Sequence, residues 1–102
     1  MGFVYLLTND YAHYKIGITT RTIEKRLREL QTGNSEKIEV VKFYKTEHYF
    51  ALESWLHRKF GVKRLEGEWF ELTSEDIKNF SSNCQRGHDI FEMLINSGNP
   101  FI

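Results

Sequence analysis

The chain has 102 residues, 40% of them hydrophobic and 15% aromatic, with 14 Lys/Arg against 14 Asp/Glu and a formal net charge of zero. That length holds one hydrophobic core rather than two, and that apolar content excludes an intrinsically disordered chain. No apolar run approaches the roughly 20 residues of a membrane-spanning helix, and Cys84, the only cysteine, excludes an intramolecular disulfide.

Phe3–Leu7 is a short β-favouring run closed by the turn cluster Thr8-Asn9-Asp10. Tyr14–Thr19 predicts a second strand, with Tyr14, Ile16 and Ile18 on one face and Lys15 and Gly17 on the other. A connection this short makes the pair an antiparallel hairpin, in which Tyr5 and Lys15 can share a side if the register allows. Thr22–Gln31 carries Ile23, Leu27 and Leu30 at helical spacing and ends at the stop signal Gly33-Asn34. Arg26 lies about 60° from the centre of that apolar stripe, at an edge where an arginine can also simply lay its stem on the core.

Ile38–Tyr44 reads as a third strand, central in the sheet because Val40 and Val41 break the simple alternation. Thr46 is a candidate cap for a helix over Glu47–Phe60. The core face of that helix is Ala51, Leu52, Trp55 and Leu56, with Glu53 and His57 stacked one turn apart on its flank. Gly67–Leu72 is a short aromatic strand or extended segment. Thr73 and Asp76 fit a capping box ahead of a helix over Ser74–Phe80. Ser81-Ser82-Asn83 reads as a break before a last helix over His88–Asn96, with Ile90, Phe91, Leu94 and Ile95 apolar. The expected architecture is α/β: a small, mostly antiparallel three-stranded sheet flanked by helices. Residues 1–80 would form the main domain, with 81–102 a helical extension packed on it.

The zero net charge is polarised along the chain. Residues 1–64 carry 12 Lys/Arg against 7 Asp/Glu, and residues 65–102 carry 2 against 7. One basic run comprises Lys15, Arg21, Lys25, Arg26 and Arg28, with Glu24 its lone acid; the other has Arg58, Lys59, Lys63 and Arg64. A single such run is usually a solvated face. Two flanking one candidate site favour a polyanion groove over that reading, with Arg21, Lys25, Arg28, Arg58, Lys59, Lys63 and Arg64 as its phosphate-contacting candidates. The final helix of the acidic last third should then pack away from that groove, over the core or against a second copy, because acids beside phosphates repel them.

Tyr5, Lys15, Arg26 and Glu53 come one from each of four consecutive elements, and His57 stands beside Glu53. Metal-assisted phosphodiester cleavage needs such groups: a carboxylate for a divalent ion, a phenol or amine for a proton, and a guanidinium for phosphate charge. Other chemistries find less. His13, His48, His57 and His88 are dispersed, and Cys84 with His88 makes half a site, so no structural zinc is expected. There is no phosphate loop or dinucleotide fingerprint, and no nucleophile elbow surrounds Ser54 or Cys84.

The strings carrying these residues resemble the GIY-YIG nuclease superfamily. Phe3-Val4-Tyr5 is similar to its first signature and Lys15-Ile16-Gly17 to its second. Arg26, eleven residues after Lys15, falls where that family carries its helix arginine, and Ala51-Leu52-Glu53 resembles the segment of its metal-binding glutamate. Leu52–Phe60 and Gly67–Leu72 resemble the branch named after a bacteriophage T5 reading frame and the related fungal meiotically up-regulated family. The likeness covers roughly residues 2–73. It departs at Phe3, where the family has glycine, at Lys15, where most members have tyrosine, and at Leu30, where histidine is frequent.

The resemblance implies a DNA endonuclease, a hydrolase using one Mg²⁺ or Mn²⁺ on Glu53. Tyr5 would deprotonate the attacking water, Arg26 would stabilise the transition state, and His57 would partly replace a late asparagine of the family. A lysine ammonium near the phenol would lower its pKa from the usual value near 10, which gives Lys15 a reason to face Tyr5. DNA is the implied partner, with RNA not excluded and no membrane. The implied setting is phage-related, in the host cytoplasm, consistent with a lone cysteine and no visible secretory signal. Double-strand breaks would need a homodimer or sequential nicking. The alternative left open is a catalytically inactive nuclease-like module that binds nucleic acid or protein.

Overall fold

A computed structural model of the chain describes residues 1–9 and 12–98; Asp10 of the expected turn and residues 99–102 of the expected extension lie outside them. In chain order the elements are β1 (Gly2–Thr8), β2 (Tyr14–Thr19), α1 (Ile23–Thr32), β3 (Glu39–Thr46) and α2 (Tyr49–Lys59). A 3-10 turn (Gly61–Lys63), β4 (Trp69–Phe70), α3 (Ser74–Lys78) and α4 (Phe80–Asn96) follow. The strands form one antiparallel sheet in the order β3-β1-β2-β4.

Two expectations about the sheet are corrected. It has four strands rather than three, because the aromatic segment contributes β4, whose two residues pair with Tyr14 and Lys15. The centre belongs to β1 and β2, and β3 is an edge strand. The adjacent valines reflect a bulge instead of two-sided burial. Leu6 stands opposite Lys42 and Leu7 opposite Val40, which leaves Val41 without a partner of its own.

Each face of the sheet has its own apolar layer. Val4, Leu6 and Ile16 pack with Leu52 and Leu56 of α2 and with Phe80, Cys84 and Phe91 of α4. Tyr5 and Leu7 point the other way, toward Ile23, Leu27 and Leu30 of α1. Helix α1 begins at the cap Thr22, whose hydroxyl accepts from the Lys25 N–H, and its last turn is closed by the Asn34 side chain donating to the Leu30 carbonyl. The capping box at Thr73 and Asp76 forms as the sequence suggests.

Helix α2 starts later than expected, with His48 as its cap residue, because Thr46 is still in β3 and uses its hydroxyl to accept from the His48 N–H. The expected break at residues 81–83 falls instead at Asn79, and α4 runs unbroken from Phe80. Phe80, Cys84, Gly87 and Phe91 form its buried stripe, and this burial overrides the poor helix propensity of Ser81, Ser82 and Asn83. At Gly87 the two helices nearly touch: a Cβ there would lie 2.5 Å from Leu52 Cδ1. The stripe leaves Ile95 exposed rather than on the core face.

Candidate active site at the edge of the second strand

Strand β4 covers only the first two residues of β2. Where it stops, side chains take over. The Ile16 N–H donates to the Glu68 carbonyl at 3.3 Å, and the Ile16 carbonyl accepts from His57 Nε2 at 2.8 Å. A carbonyl can only accept, so Nε2 carries the proton and Nδ1 is the nitrogen with a lone pair in the neutral ring. His57 also rests against Phe70, with ring centroids 5.1 Å apart.

Tyr5 reaches the same edge from the α1 face. It pairs with Gly17 across β1 and β2, so its ring passes over the residue that has no side chain. A Cβ at position 17 would lie 2.4 Å from the Tyr5 hydroxyl oxygen and 2.6 Å from the adjoining ring carbon. Glycine there is a steric requirement. Arg26 Nε donates to the same hydroxyl at 3.4 Å, while its Nη1 lies 3.4 Å from Glu29. An arginine at the stripe edge of α1 therefore faces the sheet and the solvent at once.

Lys15 shares this face but not the expected partner. It stands opposite Leu7, two residues from Tyr5, and its ammonium lies 3.0 Å from Glu68. Glu68 was not among the residues singled out from the sequence. Its signals were its place in the Gly67–Leu72 string and beside the aromatic pair Trp69-Phe70, and neither shows that a short β4 brings it to β2. One ligand atom each of Glu53, His57 and Glu68 lies within 4.8 Å of the other two.

The electrostatics fit a crowded acidic pair beside a shielded phenol. Burial, then the charge of Glu68 and a shared hydrogen bond with it, hold Glu53 up at about 7 against the pull of Lys15. Burial also raises the Tyr5 phenol above its usual value, although the Arg26 hydrogen bond and charge oppose it; Glu68 and Glu53 push the same way as burial. The expected lowering of the Tyr5 pKa by Lys15 is thus corrected: Lys15 is bound to a carboxylate, and the cation at the phenol is Arg26.

The candidate phosphate contacts are unequal. Lys25 and Arg28 are exposed on α1, and Arg58 and Lys59 are exposed at the end of α2. Arg21 is exposed but ion-paired with Glu29, and it lines a cavity of about 250 Å³ with Arg26, Thr19, Thr20, Ile18 and Tyr49. Arg64 donates through Nε to the Gly67 carbonyl and lies over the Phe70 ring. The Lys63 ammonium is engaged by Asp76 of the capping box.

Residues 2–85 match the T5orf172 domain, a family of nuclease-like domains. The chain is also 32% identical, over 96 residues, to "Uncharacterized protein 460R" of Invertebrate iridescent virus 6. That match takes in 81% of this chain and 42% of the viral protein, so the chain spans less than half the length of this relative. No solved structure matches the chain. Among the described residues, no helix is long and apolar enough to cross a membrane.

Proposed function

We propose that this chain, which belongs to the T5orf172 domain family, is a metal-dependent DNA endonuclease of the GIY-YIG type. One observation carries the reading. Tyr5, bonded to Arg26 and seated over Gly17, feels the charges of Glu53 and Glu68, whose cluster with His57 is anchored at the neighbouring Ile16.

The donor set suits the ion. Two carboxylates and an imidazole are ligands that Mn²⁺ accepts readily, and the carboxylates alone suit Mg²⁺. Burial, and after it the charge of Glu68, hold Glu53 at about 7, and a divalent cation between the two carboxylates would relieve that pair. Glu53 and Glu68 would hold the ion with Nδ1 of His57. When bound, it supplies Lewis-acid charge to the scissile phosphate and the leaving oxygen.

The chain's own residues would do the rest. Arg26, one-third exposed, would offer its guanidinium to a phosphate in exchange for Glu29 while Nε stays on the Tyr5 hydroxyl. It would neutralise charge that grows in the transition state, an effect typically worth a few kcal/mol. The Tyr5 hydroxyl accepts from Arg26 and, as phenolate once its own proton has passed to solvent, would act as the general base by taking a proton from the attacking water. Lys15 would position Glu68 rather than activate Tyr5. Lys25, Arg28, Arg58 and Lys59 are the exposed cations that would track the DNA backbone.

A second reading is binding without cleavage. It is favoured by the Lys15–Glu68 pair, which withholds from Tyr5 the cation that would ease its ionisation. Plasmid incubated with purified protein and Mn²⁺ or Mg²⁺ separates the two. Nicking that disappears in Glu53→Ala supports the endonuclease; nicking that survives that substitution defeats the assignment. Intact plasmid with every divalent ion, together with salt-sensitive binding in EDTA, selects the second reading.

A further inference from the structure

A second group of metal-ligating side chains lies outside this site. His48 occupies the cap position of α2, yet its ring makes no capping hydrogen bond. Instead its Nε2 lies 2.7 Å from Glu92 Oε1. His88 is one turn before Glu92 on α4 and places its own Nε2 3.6 Å from the same oxygen. One ligand atom from each of the three lies within 4.8 Å of the others. The side chains are 13%, 23% and 39% exposed for His48, His88 and Glu92, sheltered but reachable from solvent.

Both histidine-bearing segments are fixed by one hydroxyl. Thr46 is 2% exposed, and its Oγ1 accepts from the His48 N–H at 3.0 Å while lying 2.9 Å from His88 Nδ1. With Nδ1–H donating to that oxygen, His88 presents the Nε2 lone pair toward Glu92. An imidazole held at one nitrogen by an oxygen acceptor and open at the other is the usual posture of a metal ligand. Tyr44 and Phe91 wall the pair with ring centroids 6.2 Å from His88 and 6.3 Å from His48.

We propose that His48, His88 and Glu92 bind one Zn²⁺ ion that staples the start of α2 to α4, with water as fourth ligand. Two imidazoles and one carboxylate favour zinc over Mg²⁺ or Ca²⁺, which prefer all-oxygen sites. Tetrahedral zinc with bonds of about 2.0–2.1 Å needs ligand atoms about 3.3–3.4 Å apart. The observed 2.7 and 3.6 Å bracket that spacing. Zn²⁺ takes the place of the proton between His48 Nε2 and Glu92, and the neutral His48 ring then carries its one proton on Nδ1. Forty residues separate the two histidines in the sequence, which is why they read there as dispersed.

The test is titration of Zn²⁺ into the EDTA-stripped E53Q/E68Q double variant, so that the candidate active-site carboxylates cannot supply the binding. One equivalent should bind, and saturation at about 100 times the Kd should raise the melting temperature by about 10 °C or more. Adding H88N should weaken binding by more than about tenfold. Should H88N melt without cooperativity, proton NMR of the unmodified chain decides. Zn²⁺ must then move the imidazole resonances of both His48 and His88 while leaving those of His13 in place. Absence of saturable binding in the double variant, binding indifferent to H88N in a folded protein, or resonance shifts confined to His13 and His57 would overturn the proposal. Because the active-site carboxylates are removed, the result stands or falls apart from the nuclease reading.

Discussion

The Tyr5 ring lies against Gly17, its cross-strand partner, so closely that even one added carbon at position 17 would sit 2.4 Å from the phenolic oxygen. Tyr5 is 1% exposed and cannot swing aside without disturbing the α1 layer. Gly17→Ala should therefore cost about 1–3 kcal/mol, as overpacking a filled core does. It should also separate the hydroxyl from Arg26 and lower cleavage more than the stability loss alone explains. Denaturant midpoints and plasmid nicking at a temperature where the variant is fully folded provide the check. Wild-type stability together with wild-type nicking would show that Tyr5 does not hold this position.

Much of this geometry was legible in the sequence, and the failures have physical causes. The hairpin, the α1 helix and the pairing of Glu53 with His57 follow from local periodicity, so they were accessible without tertiary information. The partner of Lys15 was not, because it depends on β4, two residues whose place in the sheet is set by Phe70 entering the core. The single run of α4 was missed for the same kind of reason. Its buried stripe includes Gly87 and Cys84, residues that carry no helical signal until α2 is packed against them. Local rules fail here where long-range contacts decide.

If Tyr5 is the general base, its raised pKa fixes the pH dependence. Burial pushes the phenol above its usual range near 10, with Arg26 opposing. Below that value the phenolate fraction grows tenfold per pH unit, so kcat/KM should rise by about 100-fold from pH 7 to pH 9. Tyr5→Phe should abolish both the rise and most of the activity. A flat profile over this range in the wild type would remove Tyr5 from the base role.

Glu68 holds Lys15 at 3.0 Å and shares a cluster with Glu53 and His57, although sequence reasoning assigned it no role. Glu68→Gln keeps the shape and removes the charge. Mn²⁺ affinity should fall by about 10–100-fold, the usual consequence of altering a supporting or ligating group. Raising Mn²⁺ should recover part of the cleavage, which it should not do for Glu53→Ala. Calorimetric titration of Mn²⁺ against both variants distinguishes a ligand from a bystander; unchanged affinity in Glu68→Gln makes Glu68 a bystander.

Asp76 joins the basic turn to the start of α3, accepting from Lys63 and from the Thr73 N–H at 2.9 Å. Burial works to raise its pKa, but the Lys63 hydrogen bond and those at Thr73 outweigh it, and the carboxyl is held below the ordinary aspartate value. A carboxyl with a depressed folded-state pKa contributes stability that is fully present above its unfolded value, about 3.9, and is lost as the pH falls through the folded value. Asp76→Asn should thus cost about 1–2 kcal/mol at pH 7, from one weakened cap and one broken charge-assisted bond. The difference between wild type and variant should shrink below about pH 4 and vanish once the wild-type carboxyl is protonated. Urea midpoints from pH 2 to pH 7 measure it. A gap that persists undiminished at the acid end would mean that Asp76 acts through shape alone, and that the pair with Lys63 contributes nothing to the fold.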